Sequence, residues 1–391
     1  MKVFKRIFCW LALIGCCIGV IKLRPKAESS GNKEVKNTII TLWHIDTFEG
    51  GIGSRQDFLS KASVRFEKRY DGIFVCVIGY TVEEAQENMN KGIYPDMISY
   101  GIGFDNYRNM REIRAKSKYF CTSGGKKAAV GWCRGGYVLL SHGSEESGDN
   151  ASGDYIGGET TDYYMNNAET IYNTGGIAGG GIIDGKTNFK TGGDNIGGKG
   201  QANAKTADNS PDKDEEIIIS KGKYNNPEIA LALSGTDVKN YDIKSPTEAY
   251  SYFLKNKNAK LLGTQRDIWR LENRQVPFKI EKVCSFSDLV QYISVYTSDE
   301  NKNFYSQKFI EYLLSEDSQK RLTQIGMLTV NDKSIYSKDD AVNVLENSDI
   351  NGGLYVFTDR EKIEKLQSEA ARILSGDNKN LSKLRDYLQW K

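Results

Sequence analysis

Apolar stretches of strand length alternate with helix-forming stretches between Ile39 and Gly103, and this alternation constrains the fold more than any other feature. The strand-like runs lie at 39–43, 73–78 and 97–100. A glycine-rich loop and a helix capped by Ser54 separate the first two runs, and a polar helix separates the second from the third. This order predicts an α/β fold with a parallel sheet and helices on its faces.

Ligands in such sheets bind beyond the carboxyl ends of the strands. Applied to this chain, the rule predicts a binding rim made by the 43–55 loop, by Tyr80 and by the turn 100–103. That loop also precedes a helix, and the N-terminus of a helix attracts oxygen-rich or anionic groups.

The N-terminus has the pattern of an export signal, with basic residues followed by an uncharged, largely apolar run that ends at Ile21. Residues 13–16 read Leu-Ile-Gly-Cys and resemble a bacterial lipobox, which predicts lipidation of Cys16. An uncleaved anchor and ordinary signal cleavage are the alternatives. We expect a membrane segment over 1–21 and a tether over 22–36, with the body on the extracytoplasmic face of the cell membrane.

The composition excludes several classes of protein. The formal net charge of +2 over 391 residues gives no basic field for nucleic acid. Only two histidines occur, and no cysteine spacing resembles a zinc site, so we expect neither a metal nor a cofactor. Cys76 is predicted to be a buried small hydrophobe in a strand, and a disulfide between Cys121 and Cys133 is left open.

Residues 143–215 are rich in glycine and lack long apolar periodicity. Such a composition predicts a flexible insertion. An irregular, tyrosine-bearing β-structure that covers part of a cleft is the alternative. Strand and helix patterns resume at Glu216 and include a strong helix over 300–314, whose predicted apolar face includes Phe304 and Phe309. Two C-terminal helices are predicted at about 359–375 and 379–389.

Several short motifs occur in an order that resembles the extracellular solute-binding proteins of ABC importers, in the sugar-binding, maltose-binding-like group. They are Trp43-His44, Phe66-Glu67-Lys68, Gly92-x-x-Pro95-Asp96-Met97-Ile98, Gly135-Gly136-Tyr137, Ala259-Lys260-Leu261-Leu262-Gly263-Thr264, and the run 308–315 followed by Gln319. The resemblance covers about 37–141 and 216–330.

This resemblance implies a two-lobed, periplasmic-binding-protein-like fold of type II, with a ligand cleft between lobes joined by a hinge. Lobe 1 would comprise 37–140 plus 284–328, and lobe 2 would comprise 141–283 plus 329–391. The implied protein is a monomer that is not an enzyme. It would capture a small solute, which the resemblance implies is a carbohydrate, through lobe closure, and would deliver it to ABC permease subunits.

Candidate ligand-binding residues come from the strand ends, the crossover between lobes and the exit loop of the 259–264 strand. They are Trp43, Asp46, Glu49, Ser54, Arg55, Tyr80, Tyr100, Trp132, Arg134, Thr264, Gln265, Arg266 and Asp267. Structural roles compete with this interpretation: packing for the aromatic residues, an ion pair for Asp46 with Arg55, and helix capping for Asp267.

Other functions stay open at this point. A membrane-tethered sensor or an adhesion protein could use the same fold, and polyamines, phosphorylated glycerol compounds and oligopeptides are alternative solutes. A glycoside-processing enzyme is a minor alternative, because His44 and Asp46 form the only histidine–carboxylate pair that the sequence brings close, and no catalytic motif accompanies them.

Overall fold

Two mixed β-sheets of six strands each organise the chain in a computed structural model. The structure describes residues 37–48, 50–104, 110–143, 160–163, 216–236, 238, 240–283, 286, 288–346, 356–358, 360–377 and 381–388. The predicted membrane segment with Cys16, the tether, and 144–215 apart from 160–163 lie outside the described residues. Two sheets with flanking helices confirm the predicted α/β class.

The strands of the first sheet lie in the order β2-β1-β3-β12-β5-β4. Their bounds are β1 Thr38–Ile45, β2 Ile73–Tyr80, β3 Met97–Tyr100, β4 Phe120–Ser123, β5 Lys126–Arg134 and β12 Val290–Val295. β1 runs parallel to β3, with Leu42 opposite Met97, whereas β12 runs antiparallel to both β3 and β5. The predicted parallel unit is therefore extended by a strand from far along the chain.

The strands of the second sheet lie in the order β7-β11-β6-β10-β8-β9. Their bounds are β6 Tyr137–His142, β7 Thr160–Tyr163, β8 Glu216–Ser220, β9 Asn240–Lys244, β10 Ala259–Thr264 and β11 Phe278–Lys282. β8 lies between β9 and β10 and runs parallel to both, and β6 pairs antiparallel with both β10 and β11. Their carboxyl ends consequently meet at one edge.

Ten α-helices occur among the described residues, together with a 3-10 turn at Arg321–Ile325. They are α1 Arg55–Glu67, α2 Val82–Asn90, α3 Pro227–Ser234, α4 Pro246–Lys255, α5 Gln265–Asn273, α6 Glu300–Leu313, α7 Glu316–Lys320, α8 Asn343–Glu346, α9 Arg360–Leu374 and α10 Leu381–Tyr387. Ser54 caps α1 as the sequence predicts, by accepting a hydrogen bond from the Asp57 amide. In the part of the chain that the structure describes, no helix has the length and apolarity that crossing a bilayer requires.

Two predictions of burial are wrong. Cys76 is exposed because side chains alternate along β2, and it shares the outward face with Phe74. Phe304 is 52% exposed, whereas Phe309 is fully buried. Five residues turn a helix by about 140° beyond a full revolution, so the two rings point in different directions.

The chain passes between the two sheets at Gly135 and Gly136, and three chain segments lie side by side there. Arg134 and Leu328 exchange two backbone hydrogen bonds, of 3.1 and 2.9 Å. The Gly135 amide donates to the Leu289 carbonyl at 2.6 Å. A side chain at Gly135 would meet the Gln265 amide and Leu289 at about 3.0 to 3.1 Å, so glycine permits this close approach.

Candidate functional site

Two cavities lie at the carboxyl ends of strands from both sheets, with volumes of about 470 and 330 Å³. The larger is lined by residues that follow β1 and β2, and the smaller by residues that follow β1, β8 and β10. Asp46, Lys223 and Tyr224 line both cavities. We call the two together the cleft, and it lies where the strand-end rule places a ligand.

Asp46 is a carboxylate of the cleft that neighbouring side chains hold in place. Its Oδ1 accepts hydrogen bonds from His44 Nε2 at 2.9 Å and from Arg55 Nε at 2.9 Å, and Arg55 Nη2 lies 2.7 Å away. The side chain is nevertheless 57% exposed. Among the described residues none donates to Oδ2, so one oxygen is fixed and the other is available to a solute.

The charge of Asp46 is fixed by the same neighbours. Partial burial opposes ionisation, but the hydrogen bond from His44 and the positive charge of Arg55 hold the pKa of Asp46 well below its usual range. The carboxylate is therefore ionised at any physiological pH. It can accept hydrogen bonds from a solute but cannot donate one.

Ser99 determines which nitrogen of His44 carries the hydrogen. The Ser99 hydroxyl oxygen accepts from Trp132 Nε1 at 2.9 Å and from Gln291 Nε2 at 3.3 Å, which uses both of its lone pairs. The Ser99 hydroxyl hydrogen must then be donated to His44 Nδ1, which lies 3.1 Å away. His44 consequently carries its hydrogen on Nε2 and donates it to Asp46.

His44 stays neutral in this arrangement. Its side chain is 1% exposed, and burial lowers its pKa below the ordinary 6.5, even though Asp46 acts in the opposite direction. Both ring nitrogens are engaged, with Ser99 and with Asp46. The imidazole therefore orients the carboxylate, and neither of its ring nitrogens is available to a solute.

Arg55 supports Asp46 from behind. The guanidinium donates to the Phe48 carbonyl and lies 4.0 Å from the centroid of the Phe48 ring. Only 2% of the side chain is exposed. Arg55 is thus an ion-pair partner of Asp46. This is the structural role that competed with the predicted contact between Arg55 and a ligand.

Three aromatic candidates lie in the core and not at the cleft. Trp43 is 3% exposed, and Tyr100 and Trp132 are fully buried. Trp132 stacks on Phe58 with ring centroids 5.6 Å apart, and Tyr100 bonds Ser294 at 2.9 Å. Helices and neighbouring elements cover both faces of their strands. The three side chains therefore pack in the core, where the sequence had predicted contacts with a ligand.

Tyr80 has the position that the rule for strand ends predicts. It follows Gly79 at the end of β2 and lines the larger cavity. Its ring meets that of the buried Trp43 edge to face, with centroids 4.9 Å apart. Trp43 thus supports an aromatic wall of the cleft instead of contacting a solute directly.

Of the four candidates at 264–267, two line the cleft and two do not. Thr264 and Asp267 line the smaller cavity and form a capping box at the start of α5, where Asp267 also accepts from Arg270 at 3.1 Å. Gln265 is buried and accepts from the Gly136 amide at 3.0 Å, between the sheets. Arg266 is half-buried beside them.

Arg134 and Ser54 have structural roles. Arg134 is buried and donates to the Thr329, Leu345 and Glu346 carbonyls, which fixes the crossing between the sheets. Ser54 caps α1 at an exposed position. Glu49 lies outside the described residues.

Cys121 and Cys133 do not form a disulfide: both are free thiols, and both are buried. Burial raises the pKa of Cys121 to about 12, so the thiol is unreactive as well as unpaired.

Sequence reasoning missed the polar wall supplied by Gln56, Glu83, Lys223 and Tyr224, which line the larger cavity. A signal for Lys223 and Tyr224 was present, since they come shortly after the end of the apolar strand β8, and Tyr80 ends β2. No sequence pattern connects Glu83 with Lys223, which lies 140 positions further along the chain.

No protein-family model matches the chain, and no curated protein matches it. Several solved structures are similar to it. The maltose/maltodextrin-binding domain MalE from Bdellovibrio bacteriovorus, bound to maltotriose, has 13% identity and a TM-score of 0.44, and covers 90% of this chain and 98% of its own. The ABC substrate-binding protein Lmo0181 from Listeria monocytogenes, in complex with cycloalternan, has 11% identity and a TM-score of 0.47, with coverages of 90% and 97%.

Iron-bound HitA from Pseudomonas aeruginosa is also similar, with 10% identity, a TM-score of 0.46, and coverages of 86% of this chain and 98% of its own. These are distant likenesses, and the proteins carry different ligands. A function for this chain therefore has to be argued from its own cleft.

Proposed function

We propose that the protein is an extracytoplasmic solute-binding protein that holds a small solute between two lobes and delivers it to an ABC permease. Lobe 1 is the part built on the first sheet, and lobe 2 is the part built on the second. Support comes from a cleft lined from both sheets and from the crossing segments that connect them. Closure of lobes about such crossings is a common way to enclose a ligand.

The geometry of Asp46 is the observation that carries this proposal. An ionised carboxylate that lines a cavity and has one oxygen immobilised by its neighbours is a ready acceptor for hydroxyl groups. Because His44 and Arg55 hold it in place before any solute arrives, little side-chain entropy is lost on binding. Such preorganisation is expected of a receptor site.

The lining of the cleft favours a neutral, hydroxylated solute, for which we propose a carbohydrate. Tyr80 and Tyr224 supply aromatic surface in the cavity that Asp46 lines. Asp46, Glu83 and Glu84 place three carboxylates there against the single ammonium of Lys223. This balance disfavours phosphorylated solutes, because their like charges would be brought close to the carboxylates.

Binding without turnover fits the chemistry of His44 and Asp46. A general base must reach the proton that it removes. His44 is buried with both nitrogens engaged, and the pKa of Asp46 is held too low for proton transfer near neutral pH. The pair therefore supports a fixed acceptor and not a catalytic relay.

The N-terminal segment completes the proposal. We propose that residues 1–21 anchor or lipidate the chain at Cys16, with 22–36 as the tether, so that the binding body works as a monomer next to its permease. Metabolic labelling of the exported full chain with a radioactive fatty acid would test lipidation at Cys16, and a Cys16→Ser variant that is still labelled would contradict it.

Calorimetric titration of the purified protein against a panel of mono- and oligosaccharides tests the function. We expect binding in the micromolar range with at least one sugar and no product in the recovered solute. A folded protein that binds none of the panel would overturn the carbohydrate class. A protein that converts a sugar would overturn the receptor role.

A further inference from the structure

A short segment after β8 crosses from the second sheet to the first. We call residues 221–225 the arm. Lys223 Nζ lies 2.5 Å from Glu83 Oε1 in the first turn of α2, and the Tyr224 hydroxyl donates to the same oxygen at 3.3 Å. Two side chains of the arm thus contact one carboxylate in the part of the molecule built on the first sheet, which we call the first half; the part built on the second sheet is the second half.

Tyr224 also packs closely against the first half of the molecule. A Cβ placed on Gly103 would lie 2.2 Å from the Tyr224 ring, so the ring occupies the space that any other residue would need. Gly103 has a φ of +100°, a conformation that side chains other than glycine rarely adopt. The contact therefore depends on glycine at this turn.

The base of the arm is anchored firmly. The Asn226 amide donates to Asp288 Oδ2 at 2.7 Å, and the Asn226 side-chain amide donates to the same oxygen at 2.7 Å. Within the arm, the Gly222 amide donates to Asn225 Oδ1 at 2.6 Å and forms a tight turn. These bonds fix the end of the arm next to Asn226 and do not involve the side chains of Lys223 and Tyr224.

The positions of these two side chains matter because Lys223 and Tyr224 line three cavities. Two of these form the cleft, and the third, of about 540 Å³, lies beyond the arm between Glu83, Ile102 and the C-terminal helix α9. The arm is thus the partition between the cleft and this third cavity.

The ion pair between Lys223 and Glu83 is a weak contact. The Lys223 and Glu83 side chains are 67% and 64% exposed, and exposed ion pairs are screened by salt and contribute little to stability. Breaking this ion pair therefore costs little free energy in itself.

We propose that Glu83, Lys223 and Tyr224 form a gate that holds the two halves together across the cleft in the absence of solute and that limits how far a solute extends past Tyr224. This inference rests on the proposed function, which it deepens by assigning control of solute entry and solute length to these side chains.

Hydrogen exchange of the full-length protein, without added solute, tests the gate. Breaking the ion pair with Lys223→Met or Glu83→Gln is expected to speed exchange of peptides over 79–84 and 220–226 by about two- to fivefold, the range that corresponds to an exposed pair. The double charge reversal Glu83→Lys with Lys223→Glu is expected to restore the slower rate. Unchanged protection of β10 and β12 would show that each variant is folded.

Lys91→Met is the matched control. It removes an exposed ion pair of 2.6 Å between Glu87 of α2, the helix that contains Glu83, and Lys91, which caps the C-terminal end of that helix. This pair does not cross the cleft. Exchange that is no faster in the gate variants than in this control would overturn the gate. Because the measurement needs no solute, its outcome is independent of whether the protein binds a sugar.

The length limit has its own test. If a sugar binds, Tyr224→Ala is expected to improve the affinity for longer oligomers of that sugar relative to shorter ones. An equal loss of affinity at every length would contradict the limit.

Discussion

The two walls of the cleft differ in how they are held. On the first-sheet side, Asp46 is fixed through the buried residues His44 and Ser99. On the second-sheet side, Lys223 and Tyr224 both contact one exposed carboxylate, Glu83, and the Tyr224 ring also packs against Gly103. The difference supports the proposed division of roles, in which the preformed wall sets the chemistry of recognition and the wall around the arm, which we call the yielding wall, controls access.

Asp46→Asn tests the preformed wall and has the largest expected effect. The change keeps the shape of the side chain but removes the negative charge, and hydrogen bonds to charged groups contribute about 1.5–3 kcal/mol. We therefore expect solute affinity to fall about 10- to 100-fold in calorimetric titration. Asp57→Asn, at an exposed position in the first turn of α1, is the control for charge. Equal effects of the two changes would contradict the role of Asp46.

Ser99→Ala tests whether the preformed wall depends on the buried network. The substitution leaves the Trp132 Nε1 hydrogen and His44 Nδ1 without their partner. A buried polar group without a partner costs about 1–3 kcal/mol. We expect a decrease of this size in the free energy of unfolding, measured by denaturant titration.

The exposed serine of β4 supplies the control for that experiment, since Ser123→Ala removes a hydroxyl without emptying a buried site. An unfolding free energy that changes equally little in both variants would show that the network does not stabilise the wall.

Nitrogen-15 NMR of the imidazole rings tests the protonation of His44. At pH 8 we expect a neutral ring with its hydrogen on Nε2, because Ser99 donates to Nδ1 and burial lowers the pKa below 6.5. With two histidines in the chain, His142→Gln completes the assignment. A hydrogen on Nδ1, or an imidazolium at this pH, would contradict the network.

The same shift has a consequence for stability. Since the folded-state pKa of His44 lies below its unfolded value, the unfolded chain binds more protons as the pH falls below about 6.5. The stabilisation from neutral His44 is thus fully present above that pH and declines as the pH falls toward the folded-state pKa.

Salt has the smallest expected effect and should act on the yielding wall alone. Raising the ionic strength from about 0.1 to 1 M shortens the Debye length from about 10 to 3 Å. Exchange of the 220–226 peptide should rise about twofold, while exchange of β1 and β3 should not change. Equal acceleration of all these peptides would indicate that the walls do not differ.

Sequence reasoning located strand ends better than it located side chains. The alternation between Ile39 and Gly103 placed Asp46 and Tyr80 at the carboxyl ends of strands, where they line the cleft. It did not exclude Trp43 or Trp132, because both faces of these strands are covered and a buried strand shows no polar–apolar alternation. Only the packing in three dimensions distinguishes a residue that lines the cleft from one that lies beneath it.

The arm was missed for a different reason. Its residues follow β8 as the rule for strand ends requires, but their role depends on Glu83 and Gly103, which are more than 100 positions away in the chain. The pairing arises when two sheets from distant segments come together. Local patterns carry no information about such a contact.

Hydrogen exchange with and without the tightest-binding sugar of the panel tests the central claim most directly. The account predicts that exchange of the arm and of 79–84 slows by at least about tenfold on binding, while 42–46 and 97–100, already protected by the Ser99–His44–Asp46 network, change little. Protection that appears away from the cleft, or that leaves the arm unchanged, would contradict a solute held between a preformed wall and a yielding one.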